Sequence, residues 1–152
     1  MTLPAWAKPY KFKKAAAPKP GPMNRIPQRA EQEGLTGFVH GKGASDLEER
    51  LARALDARTL DYAFQYIVET ATSLPGEANN VDFVVFEGQG QPIEVDGNFT
   101  HKSAEQRGED RIRDALIDEA LQPRGFLPIM RVKEEDVSSV EAAVQTVEEL
   151  FP

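Results

Sequence analysis

The chain of 152 residues is expected to form an α/β domain in which a mixed central sheet is flanked by helices. Apolar residues recur at helical spacing in some segments, whereas others are short runs of aromatic and β-branched residues bounded by Gly and Pro. Taken in order, these segments read helix, strand, strand, strand, helix, strand, helix. No repeat with a period of 20 to 50 residues is visible, which argues against a solenoid.

The first residues stand apart. Pro4, Pro9, Pro18, Pro20, Pro22 and Pro27 lie in this stretch, where proline removes backbone donors and fixes extended conformations, so no regular helix or central strand is expected. Lys8, Lys11, Lys13, Lys14, Lys19, Arg25 and Arg29 occur there without one acid, leaving 11 basic against 25 acidic residues beyond residue 30, a net charge of -14. A basic arm on an acidic body points to a partner made of phosphates or of acidic protein surface. Trp6, Tyr10 and Phe12 sit among the lysines, a mixture able to stack on bases or to anchor the arm on this protein or a neighbouring subunit. The arm lacks acids, as organelle transit peptides do, but it is lysine-rich and proline-broken rather than Arg- and Ser-rich. No run reaches the length of a membrane helix and no secretory signal is evident, so a soluble, cytoplasmic protein, or one within a viral or other nucleoprotein particle, is expected. The absence of cysteine excludes disulfides, thiolate zinc sites and cysteine nucleophiles.

Residues 1–44 therefore read as a basic, Pro-rich arm with a Gly-rich linker, and residues 45–152 as the folded domain. Within the linker, GLTGFVHGKG (34–43) fails the phosphate-loop pattern, because Thr36 and Gly43 stand where Gly and Ser or Thr are needed. A flexible loop is expected, with His40 and Lys42 as its candidate ligand contacts. Ser45 and Glu48 form a capping-box pattern ahead of Leu47, Leu51 and Leu55, which predicts a helix over 46–57. YAFQYIVETAT (62–72) predicts a strand, broken by Pro75-Gly76. NVDFVVFE (80–87) and PIEVD (92–96), around GQGQ, predict a hairpin. A helix is expected over 104–121 with Ile112, Leu116 and Leu121 facing inward. FLPIMRV (126–132) predicts a strand that Pro128 consigns to an edge or a bulge. Val137, Val140, Val144, Val147 and Leu150 predict a terminal helix within residues 134–151.

The chemistry concentrates in the hairpin. Side chains alternate along a strand, so Glu94 and Asp96 share a face, and the partner strand can bring Asp82 beside them. Three converging carboxylates repel one another unless a cation, a shared proton or solvent relieves them. Oxygen donors, with the Val95 carbonyl as a further candidate, suit magnesium or manganese. Charged strand ends before the Asp96-Gly97 turn, and an Arg113 paired with Asp110 or Asp114 along one helix, are the structural alternative.

NVDFVV, then IEVDG, a histidine a few residues on, D-x-x-R-D at the next helix and a strand ending in arginine resemble the very-short-patch-repair type endonucleases and their small relatives in the PD-(D/E)XK, or restriction-endonuclease-like, superfamily. The resemblance spans roughly residues 45 to 150 and includes SDLEERLARAL and FQYIV. It implies that Asp82 is a metal ligand, that Glu94 and Asp96 fill an acid-x-acid form of the motif, and that His101 is the nearby histidine. It matches Asp110, Arg113 and Asp114 to the D-x-x-R-D segment, Glu48 to a first-helix acid and Gln65 to a first-strand glutamine. No lysine follows Glu94 at the two-residue spacing, and ALQPRG lengthens the link to the last strand.

The activity so implied is magnesium- or manganese-dependent hydrolysis of DNA phosphodiesters. Asp82 and Glu94 would hold the metal, His101 would handle the proton of the attacking water or of the leaving oxygen, and Arg113 would neutralise charge on the phosphate. Lys8, Lys11, Lys13, Lys14, Lys19 and Trp6 are the candidate contacts to nucleic acid or a partner. The acidic body is ill-suited to a polyanion, and this favours the alternative of a non-enzymatic assembly or adaptor protein that keeps the fold and docks through residues 1–30.

Overall fold

The structure, a computed structural model, describes residues 32–69, 79–97 and 103–152. Its elements are β1 (Phe38–Val39), β2 (Lys42–Gly43), α1 (Asp46–Ala57), β3 (Tyr62–Val68), β4 (Asn79–Phe86), β5 (Gly90–Asp96), α2 (Ala104–Leu121), β6 (Met130–Lys133) and α3 (Val140–Leu150). A four-stranded sheet has the order β3-β4-β5-β6. β3, β4 and β5 are antiparallel neighbours, and β6 joins β5 in parallel after the α2 crossover. The α/β class and the mixed sheet flanked by helices are therefore present, and β6 is an edge strand, but it starts at Met130, after Pro128, rather than at Phe126 as expected.

Each face of the sheet buries its own apolar cluster. Phe64, Phe83, Val85, Ile93 and Val132 pack with Leu51 and Leu55 of α1 and Ala143 and Val147 of α3. Tyr66, Val81 and Val84 pack with Ile117 and Leu121 of α2 and with Phe126. β4 supplies both clusters, as a central strand covered on two sides must. Burying each such Val, Leu, Ile or Phe contributes about 1.5–3 kcal/mol, so the strand that carries Asp82 is firmly anchored.

Local chemistry accounts for the element ends. Ser45 caps α1 by accepting the Glu48 N–H, while Glu48 accepts the Ser45 N–H. The three-residue loop after Phe86 uses Gly88 at a positive φ of 61°. Gly90 has a different reason: a Cβ there would overlap the Phe126 ring, which lies directly on this backbone.

Four more expectations are corrected. Residues 34–43 form no loose loop: β1 and β2 pair around His40 and Gly41, whose positive φ angles make the tight turn, and Val39 and Ala44 enter the core. Glu49 fastens this hairpin to α1 by accepting the N–H groups of Thr36 and Gly37. Even Glu33 belongs to the folded unit, because its carboxylate pairs with buried Arg50 at 2.9 Å and accepts the Val140 N–H at the start of α3.

The strand expected to reach residue 72 ends at Val68, and residues 70–72 lie outside those described. Ile112 does not face inward but is 65% exposed, whereas Ile117 and Leu121 are buried and Leu116 is half-buried. The inward stripe of α2 instead carries charge from its midpoint on, at Arg113, Asp114 and Asp118, for reasons given below. The terminal helical segment divides into a 3-10 turn over Glu134–Val137 and α3, because Ser139 accepts the Ala142 N–H and so starts a new helix. Among the described residues no helix is long and apolar enough to cross a membrane.

Candidate metal centre

Asp82 stands where two strands part. The β4–β5 ladder runs from Phe86 opposite Gly90 to Phe83 opposite Ile93, after which Glu94, Val95 and Asp96 pair with Arg131, Val132 and Lys133 of β6. Asp82 Oδ2 accepts the Val95 N–H at 2.8 Å, taking the place of a backbone carbonyl at the point of separation. One carboxylate oxygen is thereby fixed, and the group is held in the opening between β4 and β5.

Glu94 comes from the other lip. It is only 7% exposed because α2 covers this face of the sheet. Burial, then the neighbouring Asp82 charge, and then a hydrogen bond with the Asp82 carboxyl push its pKa from 4.5 up to about 8, although Arg113 opposes the shift. Arg113 Nη1 lies 2.5 Å from Glu94 Oε1 and the same guanidinium also donates to the Asn80 carbonyl. Near neutral pH the Glu94 carboxyl is therefore held largely neutral, since burial and the adjacent Asp82 disfavour its charge.

Asp96 lies on the same side of β5 and is 4% exposed. It meets Arg131 at 3.3 Å, and Arg131 in turn forms a bidentate pair with Asp114 of α2, with both contacts at 2.9 Å. Burial lowers the Arg131 pKa, but Asp114, with Asp110 and Glu94, more than compensates, and the net shift is upward. Asp118 extends the row by accepting the Ile129 N–H at 2.7 Å. These bonds explain the rotation of α2: Arg113, Asp114 and Asp118 meet the sheet, and Ile112 is left outside. A cavity of about 320 Å³ lies alongside, lined by Asp96, Arg107, Asp110, Arg111, Asp114 and Arg131.

The structure thus joins Asp82 and Glu94, adds Arg113, and places Asp96 two residues along the same strand with Arg131. Asp110 lines the adjoining cavity. Glu48 spends hydrogen bonding on the start of α1, and Gln65 lies on β3 in the rung of Asp82. His101 and the arm residues Trp6, Lys8, Lys11, Lys13, Lys14 and Lys19 lie outside the described residues. Arg131 closes the strand motif of the resemblance, and Asp114 belongs to its D-x-x-R-D segment, but neither was given a role and their pairing was not anticipated. Only the parallel register of β6 on β5 gives Arg131 that destination.

Compared with protein-family models, curated proteins and solved structures, the chain matches none.

Among the described residues no group of three or more His, Asp or Glu is arranged to hold a metal. Magnesium does not require such a cage: it keeps several waters and binds through one or two carboxylates together with substrate phosphates. The touching Asp82 and Glu94 carboxyls, whose mutual repulsion a divalent cation relieves in place of a proton, fit that habit. The donor set is all oxygen, which suits magnesium or manganese over softer metals.

Proposed function

We propose that this chain is a magnesium- or manganese-dependent DNA endonuclease with a restriction-endonuclease-like domain. The single observation that carries the reading is the contact of the Asp82 and Glu94 carboxyls at the opening between β4 and β5. A buried carboxyl such as Glu94, held neutral beside a second acid, is costly to maintain, and pKa values perturbed in this way cluster at functional sites.

Asp82 and Glu94 would hold the cation, which when bound polarises a phosphodiester oxygen and lowers the pKa of a water molecule. Fixed by Val95, Asp82 keeps one orientation throughout. Arg113 is within reach of Glu94 and supplies positive charge where a phosphate would gain negative charge. His101, by resemblance, is assigned the proton transfer. The seven basic residues of the arm supply phosphate contacts that a body of net charge -14 lacks.

The test is cleavage of single-stranded, duplex and branched DNA with magnesium, manganese or EDTA. Asp82→Asn and Glu94→Gln should each lower metal-dependent cleavage by roughly three orders of magnitude, the kinetic equivalent of several kcal/mol, without unfolding the domain. A wild-type protein that cleaves none of these substrates with either metal would overturn the reading.

A second reading, that of a non-enzymatic adaptor that keeps the fold, is favoured by a different observation. Glu94 and Asp96 each already have an arginine partner, in Arg113 and Arg131, so the acids also serve to fasten α2 to the sheet. Assembly through residues 1–30 with no metal-dependent cleavage would establish it.

A further inference from the structure

The sheet breaks its own alternation at one rung. Along β3, Tyr62 and Phe64 pack into the cluster beneath α1 and α3, but Tyr66 and Val68 pack into the opposite cluster beneath α2. Residues 64 and 66 of a regular strand would share a face. The partner strand makes the same switch, since Val81 packs beneath α2 whereas Phe83 and Val85 pack beneath α1 and α3. Phe64 is opposite Phe83 and Tyr66 opposite Val81, so the residues at which the two strands change face, Gln65 and Asp82, occupy the same rung. Because both switch together, the register continues unchanged on either side.

Gln65 supplies the backbone geometry for this. Its φ is +53°, in the left-handed region that a non-glycine residue rarely adopts and that is foreign to an extended strand. The β1–β2 hairpin holds the rung from the outer edge of the sheet. Lys42 Nζ donates to the Phe64 carbonyl at 3.2 Å, and the Gln65 side-chain amide reaches the Gly43 carbonyl at 3.4 Å. On the inner side, Asp82 stands at the change of face in β4, between Val81 and Phe83, and its carboxylate lies between β4 and β5 on the Val95 N–H.

We propose that Gln65 is a positioning residue whose left-handed backbone, directly across the rung from Asp82, turns the Asp82 carboxylate into the opening between β4 and β5. This deepens the reading of Asp82 as a metal ligand, but the geometry belongs to the protein itself and is measurable without any cleavage. It also gives a role to the hairpin of residues 38–43, which supports the far side of that rung.

The test compares residues that tolerate a positive φ with residues that do not, in the full chain without metal. Gln65→Gly adopts the left-handed region freely, Gln65→Ala carries the same Cβ strain as the native glutamine but loses the amide that reaches Gly43, and Gln65→Val is disfavoured there by its branched side chain. The primary readout is the Val95 amide, through its proton shift and hydrogen exchange, with the Val85 amide as a reference and the melting temperature as a measure of overall stability. In Gln65→Val the Val95 amide should exchange about tenfold faster relative to Val85, as the loss of one hydrogen bond to a charged acceptor implies, and in Gln65→Gly and Gln65→Ala it should keep its wild-type shift and protection.

If Gln65→Val does not fold, Gln65→Thr, branched but polar, takes its place. Wild-type protection of Val95 in the branched variant would overturn the proposal, as would its loss in Gln65→Gly or Gln65→Ala, which would assign the effect to the side-chain amide instead. Manganese affinity is measured on the same proteins and should follow the Val95 amide. A wild type that binds no manganese would count against the nuclease reading only, and the Val95 amide would still decide this one.

Discussion

Arg113 reaches from the middle of α2 to place its guanidinium 2.5 Å from the Glu94 carboxylate, on the strand face where Asp82 also meets Glu94. The guanidinium and the proposed divalent cation would compete for the same charge. Arg113→Met should therefore destabilise the metal-free protein by about 1–3 kcal/mol, the cost of leaving a largely buried carboxyl without its cationic partner. It should also enlarge the rise in melting temperature that manganese produces. Urea denaturation and thermal melts with and without manganese measure both effects, and an unchanged response to manganese would separate Arg113 from the metal centre.

The raised pKa of Glu94 sets a pH dependence of definite sign. With a folded value of about 8 against an ordinary 4.5, the folded state binds more protons than the unfolded state between these limits. Stability from this group is thus fully present below about pH 4.5 and is lost as pH rises toward 8 and beyond, with a slope of at most about 1.4 kcal/mol per pH unit. Glu94→Gln should remove this component of the pH profile, and saturating manganese should flatten it in the wild type. Denaturation curves between pH 5 and about 8.5, compared between the two proteins, provide the measurement.

Gly90 opens β5 with the Phe126 ring resting on its backbone. Gly90→Ala should cost about 1–3 kcal/mol, the usual penalty of overpacking a filled core. Phe126→Leu in the same chain should recover part of that loss, although on its own it removes aromatic packing against Tyr66 and Phe86. A double-mutant cycle by urea denaturation checks this. Strict additivity would mean that the ring and the glycine do not constrain each other.

The arm is expected to act through its charge. Removing residues 1–30 deletes seven positive charges and no negative ones. If the arm binds nucleic acid, the truncated chain should hold DNA more weakly and with a shallower dependence on salt, by nearly one released ion for each phosphate it no longer neutralises. If its partner is protein, the same truncation should abolish assembly and leave the DNA salt slope unchanged. Titrations of both chains at several salt concentrations distinguish the two outcomes.

Much of the frame was legible in local sequence because the forces that set it are local. The Ser45–Glu48 box starts α1 where its pattern predicts, and two apolar runs separated by a glycine-bearing loop form the β4–β5 hairpin. Two-residue alternation puts Glu94 and Asp96 on one face of β5, toward the arginines of α2 and β6. Residues 34–43 were harder to read: glycines at positive φ signal a turn, but only burial of Val39 and Ala44 against the core makes the segment a hairpin rather than a loop. Tertiary structure alone decided the rest. Hydropathy turns Ile112 inward, yet the ion pairs of Arg113 and Asp114 with partners on β5 and β6 set the rotation of α2 and leave Ile112 in solvent. Arg131 finds Asp96 only once β6 is laid parallel to β5, a pairing across 35 residues that no local pattern encodes. The change of face at Gln65 and Asp82 is hidden for the same reason: alternation is a property of one strand, but that rung is shaped by two strands and by the groups packed on either side of it.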